Sequence, residues 1–449
     1  MRKLLLYLSK KFDDQTKILL RNTSWILGSN VIKTVLVFIK SIVIARGLGV
    51  EFYGIYALIV AFVITVQDFF NLNIGNAFIK FGAEFKAEER KDKVVALMKA
   101  CVYATMVTAS LSVILIAFLI NFSYDSFVDQ PGLEWYILLY AVADVATFFD
   151  PMGRSILRLY YKFKMNSIVQ TATAIIEFTL VTAAIFLWPT NLEAFFTAVI
   201  IAKLINTVIN NGIGVWELRE EIFPFINSKV SLIRDRFKEI GGYVIGNSLS
   251  KSLRTLMNQG DVLILGALMG PSNVAFYAVA KRMANMIGVI SDPFTMSAFP
   301  QFSVLLAEKK SKEIKMMLIK ITKAATLPAI VFVIASLIFS ELVIELAFGK
   351  DYLPAANPFK ILIIGSVLSS LFFWNQSIMQ SFGLIALRFY VYLITILFGG
   401  LISYYLLVPQ SGTVGMAWGL VITKSIIIIT FTFVAVRKLN RSIGINSST

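Results

Sequence analysis

Apolar stretches of ~20 residues recur along the whole chain, and each is long enough to cross the hydrocarbon core of a bilayer as a helix. Hydrophobic residues make up 57% of the 449 positions and charged residues only 15%. A soluble chain of this length needs a larger charged surface, and a barrel would show short alternating segments instead. The sequence therefore predicts an all-α membrane protein.

We predict twelve membrane spans, at about 22–45, 53–79, 94–120, 135–158, 167–188, 192–215, 242–268, 273–300, 321–346, 357–381, 384–408 and 413–436. Alternate loops are rich in Lys and Arg, and such loops lie on the cytoplasmic side. Both termini are then cytoplasmic, with an amphipathic N-terminus at 1–21 and a tail at 437–449. This asymmetry also accounts for the net charge of +15, so no nucleic-acid partner is predicted.

The residue types and motifs of the chain do not support several classes of catalytic chemistry. The chain contains no histidine and one cysteine, Cys101, so the commonest general base and metal ligand is missing. No phosphate-binding loop motif for a nucleotide is present, and the loops assigned to the outer side are short. The sequence predicts a protein that is not an enzyme and has no cofactor or metal.

Two halves of the chain resemble each other. The matched segments are WILGSNVIK (25–33) with YVIGNSLSK (243–251), LGVEFYGIYALIVA (48–61) with MGPSNVAFYAVAKR (269–282), and AEERKDKVVALM (87–98) with AEKKSKEIKMML (307–318). The offset stays between 218 and 221 residues and pairs Gly49 with Gly270. We predict two six-helix bundles, 22–215 and 242–436, joined by a cytoplasmic linker at 216–241. An even number of spans per half predicts a pseudo-twofold axis along the membrane normal.

Charged side chains occur inside several predicted spans, where they are costly. Span 7 carries them in an arc of about 80°, formed by Asn247, Lys251, Arg254, Asn258 and Asp261. Such residues either pair to hold helices together or face a cavity. Arg154 and Arg158 are expected to lie near a membrane face, where they either snorkel or pair to hold helices together. Lys33 and Lys251 recur at equivalent repeat positions, and a cationic cavity between the halves would suit an anionic, phosphate-bearing substrate.

The repeated segments IARGLGVEFYGIYALIVAFVITVQDFFNLNIGNAFIKF (44–81) and NQGDVLILGALMGPSNVAFYAVAKRMANMIGVISDPFTMSAFPQF (258–302) resemble a known signature. It is that of polysaccharide exporters and O-antigen flippases of the multidrug/oligosaccharidyl-lipid/polysaccharide exporter superfamily. The likeness runs from about 20 to 436. It implies that an undecaprenyl-diphosphate-linked oligosaccharide, an O-antigen or capsule repeat unit, crosses the bacterial cytoplasmic membrane by alternating access.

The resemblance also implies roles for the charged residues. The predicted substrate-binding residues are Lys33, Lys40, Lys251, Arg254, Asn258 and Lys281, and the predicted sites of coupling to H⁺ or Na⁺ are Asp68, Asp261 and Asp292. The expected partners are the lipid-linked glycan, membrane lipids, and a glycan polymerase with other assembly proteins. Two alternatives stay open: an organic cation antiporter, whose cavity should be acidic and aromatic, and a membrane glycan polymerase or ligase.

Overall fold

The computed structural model describes residues 14–72, 74–127 and 134–447, and every regular element in these ranges is helical. The predicted N-terminal segment therefore lies outside the described residues up to position 13. The helices are α1 (Asp14–Phe70), α2 (Ile74–Ala87), α3 (Lys91–Phe127), α4 (Glu134–Ala146), α5 (Asp150–Leu159), α6 (Phe163–Leu187), α7 (Leu192–Glu217), α8 (Arg219–Ile222), α9 (Phe237–Met269), α10 (Pro271–Asn285), α11 (Gly288–Ala307), α12 (Ser311–Phe348), α13 (Ala356–Leu371), α14 (Trp374–Ser381), α15 (Ile385–Ile402) and α16 (Val408–Ser447). Short 3₁₀ turns at Phe223–Phe225, Val230–Arg236 and Lys350–Ala355, and a π-helical turn at Ser403–Leu407, join some of them.

Seven stretches of the described chain are long and apolar enough to cross a membrane. Two of them, Trp25–Ala87 and Ala386–Gly444, each cover two predicted spans. The predicted spans 135–158, 242–268 and 273–300 lie outside these stretches. They are helical in the structure, but their polar and charged side chains lower their hydropathy, and two of them are broken into shorter helices. The all-helical fold is confirmed, whereas the number twelve and the two-bundle arrangement stay predictions.

The sequence repeat is matched in the local conformation of the backbone. Gly49 interrupts α1 with φ 76° and ψ 176°, and its repeat partner Gly270 precedes α10 with φ 77° and ψ 177°. Glu89 (φ 58°) and Lys309 (φ 57°) form a second pair near the same offset. A positive φ is uncommon outside glycine, so paired occurrences indicate that both halves bend their chains at equivalent points.

The chain divides into two compact units. The first unit comprises the described residues up to Val43, together with Val66–Phe118 and Glu134–Leu249. The second unit comprises Ile44–Thr65, the described residues of 119–133, and the chain from Ser250 onward. The kinked segment around Gly49 thus packs within the second unit, although it belongs to the N-terminal half of the sequence.

In the first unit, the segment predicted as a linker is folded and anchored. Leu218, Ile222 and Ile233 are buried in one apolar cluster with Phe81 and Phe85 of α2. This burial gives the segment a fixed position on the first unit, because apolar area removed from water stabilises the contact.

Ion pairs also hold the C-terminal end of the linker in place. The Arg236 guanidinium donates to Glu239 at 2.6 Å and forms an ion pair with Glu84 of α2 at 2.7 Å. These two carboxylates, Glu239 first, raise the pKa of Arg236. Both pairs are partly exposed, so each adds little stability, but together they orient the start of α9.

In the second unit, the Gly49 segment packs closely against the C-terminal half. The Tyr352 hydroxyl donates to the Ala45 carbonyl at 2.8 Å, and the Tyr352 ring meets Tyr53 edge-on at 6.1 Å between centroids. A side chain at Gly54 would collide with the backbone of Pro271. The backbones at Gly54 and Pro271 can approach this closely because glycine has no Cβ.

Replacing Gly54 by Ala should therefore destabilise the protein by about 1–3 kcal/mol, because the added methyl group overpacks a backbone contact. Gly28→Ala, in the same helix but with open space around it, is the matched control and should be neutral or slightly stabilising. Thermal unfolding followed by circular dichroism in detergent measures both. Equal melting temperatures for the two variants would contradict the close contact.

Candidate functional site

One face of α7 in the first unit carries a stripe of polar side chains. Its members are Lys203, Asn206, Thr207, Asn210 and Asn211. Their spacing of three and four residues puts them on a single side of the helix. Because α7 packs against α4, α5 and α6, the stripe meets charged side chains from each of these helices.

Two ion pairs hold part of this region together. Lys203 pairs with Asp144 of α4, and Lys40 of α1 pairs with Glu177 of α6. The four side chains are between 10% and 28% exposed, so removing one partner would leave a charge with little access to water. The Asn206 amide also donates to Glu177 at 3.3 Å.

Further cations lie beside these pairs. Lys33 is within electrostatic range of Arg154, Glu177 and Asp150. The Asp150 carboxylate accepts a hydrogen bond from the Thr207 hydroxyl at 2.7 Å. Arg154 donates from Nε to the Asp150 backbone carbonyl at 3.2 Å. These contacts leave much of the guanidinium of Arg154 available to another acceptor.

The charges of this region do not balance. We call it the first-unit cationic cluster, and it contains five cations, Lys33, Lys40, Arg154, Arg158 and Lys203, against three carboxylates, Asp144, Asp150 and Glu177. The Nε atom of Arg158 is buried and has no hydrogen-bond partner among the described residues. Excess positive charge inside a membrane-spanning unit fits a group that binds an anion.

Several uncharged polar atoms of the same helices are also unsatisfied within the described chain. They are both amide atoms of Asn166, the Ser167 hydroxyl, and the side-chain oxygens of Asn206 and Asn210. A dry, unpaired polar group costs about 1–3 kcal/mol. These atoms can therefore accept and donate hydrogen bonds to a polar ligand or to water.

The second unit contains a separate charged group. The ammonium of Lys281 contacts both oxygens of Asp261, at 2.7 and 2.6 Å, and donates to the Asn258 carbonyl at 2.5 Å. The Tyr277 hydroxyl donates to Asp261 at 2.6 Å. Lys424 of α16 lies within electrostatic range of Lys281 and Asp261. A predicted substrate-binding lysine and a predicted coupling carboxylate are thus bonded to each other.

The remaining predicted residues are distributed over both units. Lys251 is half-buried and Arg254 is exposed on α9 of the second unit, whereas Asp68 is half-buried on α1 in the first. Arg254 lies within electrostatic range of Tyr392 of α15. The side chain of Asp292 lies outside the described part of α11. That Lys33, Lys251 and Arg254 line one cavity stays a prediction.

The structure places three further cations, Arg154, Arg158 and Lys203, near residues that the sequence assigns to a site. The sequence predicts that Arg154 and Arg158 snorkel or pair with acidic side chains, and it leaves Lys203 open between a structural pair and a site that faces a cavity. The signal was present in KLINTVINN at 203–211, whose polar residues recur at helical spacing. The sequence does not reveal that α5, α6 and α1 bring charges to this stripe.

Solved structures with a similar fold are transporters. A multidrug resistance MATE family transporter of the MOP superfamily superposes with a TM-score of 0.72 at 15% identity, covering 92% of this chain and 96% of that one. The lipid II flippase MurJ superposes with a TM-score of 0.64 at 14% identity, covering 92% and 88%. The chain therefore has the fold of MOP-superfamily membrane transporters.

The family is shown by the sequence itself. The family model described as "Polysaccharide biosynthesis protein" matches residues 19–306, and the chain belongs to this family. A proposed O-antigen transporter of Shigella flexneri is 22% identical over 372 residues, which cover 81% of this chain and 85% of that protein. The expected membership of the polysaccharide family, on the fold of the MOP superfamily, is confirmed.

Replacing Lys203 by Met should destabilise the first unit by about 3–5 kcal/mol, because Asp144 would keep a buried, unpaired charge. The double variant Asp144→Asn, Lys203→Met should recover most of this loss. Lys350→Met removes an exposed partner of Glu345 at 3.8 Å and should cost less than about 1 kcal/mol. Melting temperatures and membrane yields test the set, and a double variant no better than the single one would contradict a pair.

Proposed function

We propose that this protein is a flippase that moves an undecaprenyl-diphosphate-linked oligosaccharide, an O-antigen or capsule repeat unit, across the bacterial cytoplasmic membrane. The family match and the name of the Shigella flexneri relative support a glycan substrate. Transport would proceed by alternating access, with both termini cytoplasmic. A glycan polymerase and other assembly proteins would act on the delivered product.

The first-unit cationic cluster is the observation that carries this proposal. A diphosphate needs several cations or hydrogen-bond donors, and Arg is well suited to it because its guanidinium can hold two phosphate oxygens at once. Lys40 and Lys203 are already engaged by Glu177 and Asp144. Lys33, Arg154 and Arg158 are then the groups available to the phosphates.

The unsatisfied side-chain oxygens of Asn206 and Asn210 are suited to the glycan part of the same substrate. Sugar hydroxyls can donate hydrogen bonds to these oxygens, whereas the amide nitrogens already donate to Glu177 and to the Asn206 backbone carbonyl. Asn206 and Asn210 are on the same stripe as Lys203, so one ligand could contact charged and amide groups together. A lipid diphosphate joined to a glycan combines these two kinds of chemistry.

Residues of the second unit enter the proposal as well. Lys251 and Arg254 would bind the diphosphate during part of the cycle. Asp68, Asp261 and Asp292 are the proposed points of coupling to H⁺ or Na⁺. A coupling cation at Asp261 would have to replace the ammonium of Lys281, which now contacts both carboxylate oxygens, so opening of this pair would accompany ion entry.

An organic cation antiporter is the second candidate, because a multidrug transporter shares the fold. Such a substrate would be repelled by a cluster in which cations exceed carboxylates. The charge preference of the protein therefore separates the two functions, and reconstituted transport of a cationic dye would favour the antiporter.

Arg154→Gln should weaken binding of the lipid-linked glycan about 10- to 100-fold, since it removes a charged hydrogen-bond donor worth about 1.5–3 kcal/mol. Arg154→Lys should keep part of the activity because the charge remains while the geometry changes. Arg219→Ala, which removes an exposed cation on α8, is the control. Complementation of a flippase-null strain and binding to the purified protein are the measurements, and normal export by Arg154→Gln would exclude a role in binding.

Lys251→Ala and Arg254→Ala should block glycan export while the protein remains at normal abundance in the membrane. Lys251→Arg should retain partial activity, and Lys251→Glu should abolish transport because like charges would oppose the diphosphate in a low dielectric. Complementation with abundance checked by immunoblot measures these effects. Wild-type export from both acidic variants, Lys251→Glu and Arg254→Glu, would show that the diphosphate is held elsewhere.

A further inference from the structure

The linker leaves large apolar side chains outside the core of the first unit. Phe223 is 54% exposed and Ile226 is 40% exposed, and Leu232 and Phe237 are exposed as well. They belong to a segment whose other apolar residues are buried against α2. Exposed large apolar side chains that are clustered in this way are typical of surfaces that contact a membrane or another protein.

Exposed cations alternate with these apolar groups along the linker. Lys229, Arg234 and Lys238 are exposed and form no ion pair with another described residue. One exposed carboxylate, Asp235, lies among them in the sequence, so this part of the linker has a net positive charge. Apolar side chains mixed with Lys and Arg are characteristic of segments that lie in the interface of a membrane.

The linker begins where a membrane-spanning stretch ends. The stretch Leu192–Glu217 is long and apolar enough to cross a membrane, and α8 follows it directly. Trp216, at the end of the stretch, is exposed, and the Arg219 guanidinium lies 5.2 Å from the centre of its ring. Tryptophan is enriched at the boundary between membrane and water, because its ring is apolar and its N–H is polar. The start of the linker therefore lies near this boundary.

A hydrogen bond fixes the middle of the linker against α3. The Lys99 ammonium donates to the Ser228 backbone carbonyl at 3.2 Å. Lys99 is near the start of Lys91–Ile120, a stretch of 30 residues that is long and apolar enough to cross a membrane. A helix of this length exceeds a hydrocarbon core of ~30 Å, so its first turns extend out of the hydrocarbon. The Ser228 turn is thus held near the edge of the bilayer.

The face of α3 that continues from Lys99 is apolar and exposed. The exposed residues in line with Lys99 are Tyr103, Val107, Leu111, Ile114 and Phe118. Their spacing of three and four residues puts them on one side of the helix together with Lys99. An exposed apolar stripe on a membrane-spanning helix faces lipid chains. The hydrogen bond from Lys99 therefore holds the linker at the end of a lipid-facing surface of the first unit.

We propose that the linker binds the headgroup region of a bilayer that contains anionic phospholipids, through the exposed side chains of Phe223, Ile226, Lys229, Leu232 and Arg234. The apolar side chains would enter the boundary between headgroups and acyl chains. The cations would contact the anionic groups of the lipids. This interaction goes beyond the proposed function, because it concerns the surrounding lipids and not the transported molecule.

Fluorescence quenching in reconstituted bilayers tests the proposal. Cys101 is the only cysteine of the chain and is buried, so the variant Ile226→Cys can be labelled selectively with a fluorophore. Phospholipids that carry a nitroxide near the headgroup should quench this label. The quenching should increase when anionic phosphatidylglycerol replaces part of a neutral phosphatidylcholine bilayer. Phe223→Cys provides a second labelling position if Ile226→Cys does not fold.

Charge variants of the labelled protein test the role of the cations. The test variant combines Lys229→Gln, Arg234→Gln and Lys238→Gln. It should lose the dependence of quenching on anionic lipid, because the groups that attract this lipid are gone. The matched control removes three exposed lysines of α12 in the second unit, by Lys312→Gln, Lys320→Gln and Lys323→Gln. The control should retain the dependence.

Three results would overturn the proposal. Equal quenching in neutral and anionic bilayers, or an anionic-lipid dependence that survives in the test variant, would exclude binding of anionic headgroups by these cations. A label that only a water-soluble quencher reaches would show that the linker lies in water. Shielding of the label in native membrane vesicles but not in bilayers of purified lipid would identify a protein partner instead of the lipid surface.

Discussion

The free-energy cost of holding charge in a medium of low dielectric constant governs where the polar side chains of this protein lie. Each buried cation with limited access to water therefore needs a carboxylate, a ligand or a route to water. Lys40, Lys203 and Lys281 are each paired with a carboxylate. Lys33, Arg154 and Arg158 lie near fewer carboxylates than cations, and this imbalance supports the proposed binding site.

The repeat gives both halves of the chain the same local bends but different side chains. Gly49 and Gly270 adopt nearly identical backbone angles, because each half turns its chain at a place where a Cβ would be strained. Elsewhere in the repeat, at an offset of 221 residues, α7 carries Asn206, Thr207 and Asn210 where α16 carries Ile427, Ile428 and Phe431. The two halves thus share backbone bends while their side chains differ in polarity at equivalent positions.

The helices of the fold follow from hydrophobicity and from the sequence repeat. The long apolar stretches are helical as expected, and the matching glycines and helix ends follow the sequence repeat. The predicted spans 4, 7 and 8 are helical and carry charged residues, and they lie outside the seven stretches that are long and apolar enough to cross a membrane. The charged residues of these spans are also the ones that the proposed function uses. Charge inside a membrane is costly and is therefore a candidate for a functional role.

The sequence by itself determined an all-helical membrane protein, its repeat, its family and the identity of its intramembrane charges. These properties depend on composition and on residues close together along the chain. Which charges neutralise one another was decided only by the tertiary structure. Lys40 meets Glu177 and Lys203 meets Asp144 across 137 and 59 positions. No local pattern specifies such pairs, because the energy of an ion pair depends on the distance in space that helix packing sets.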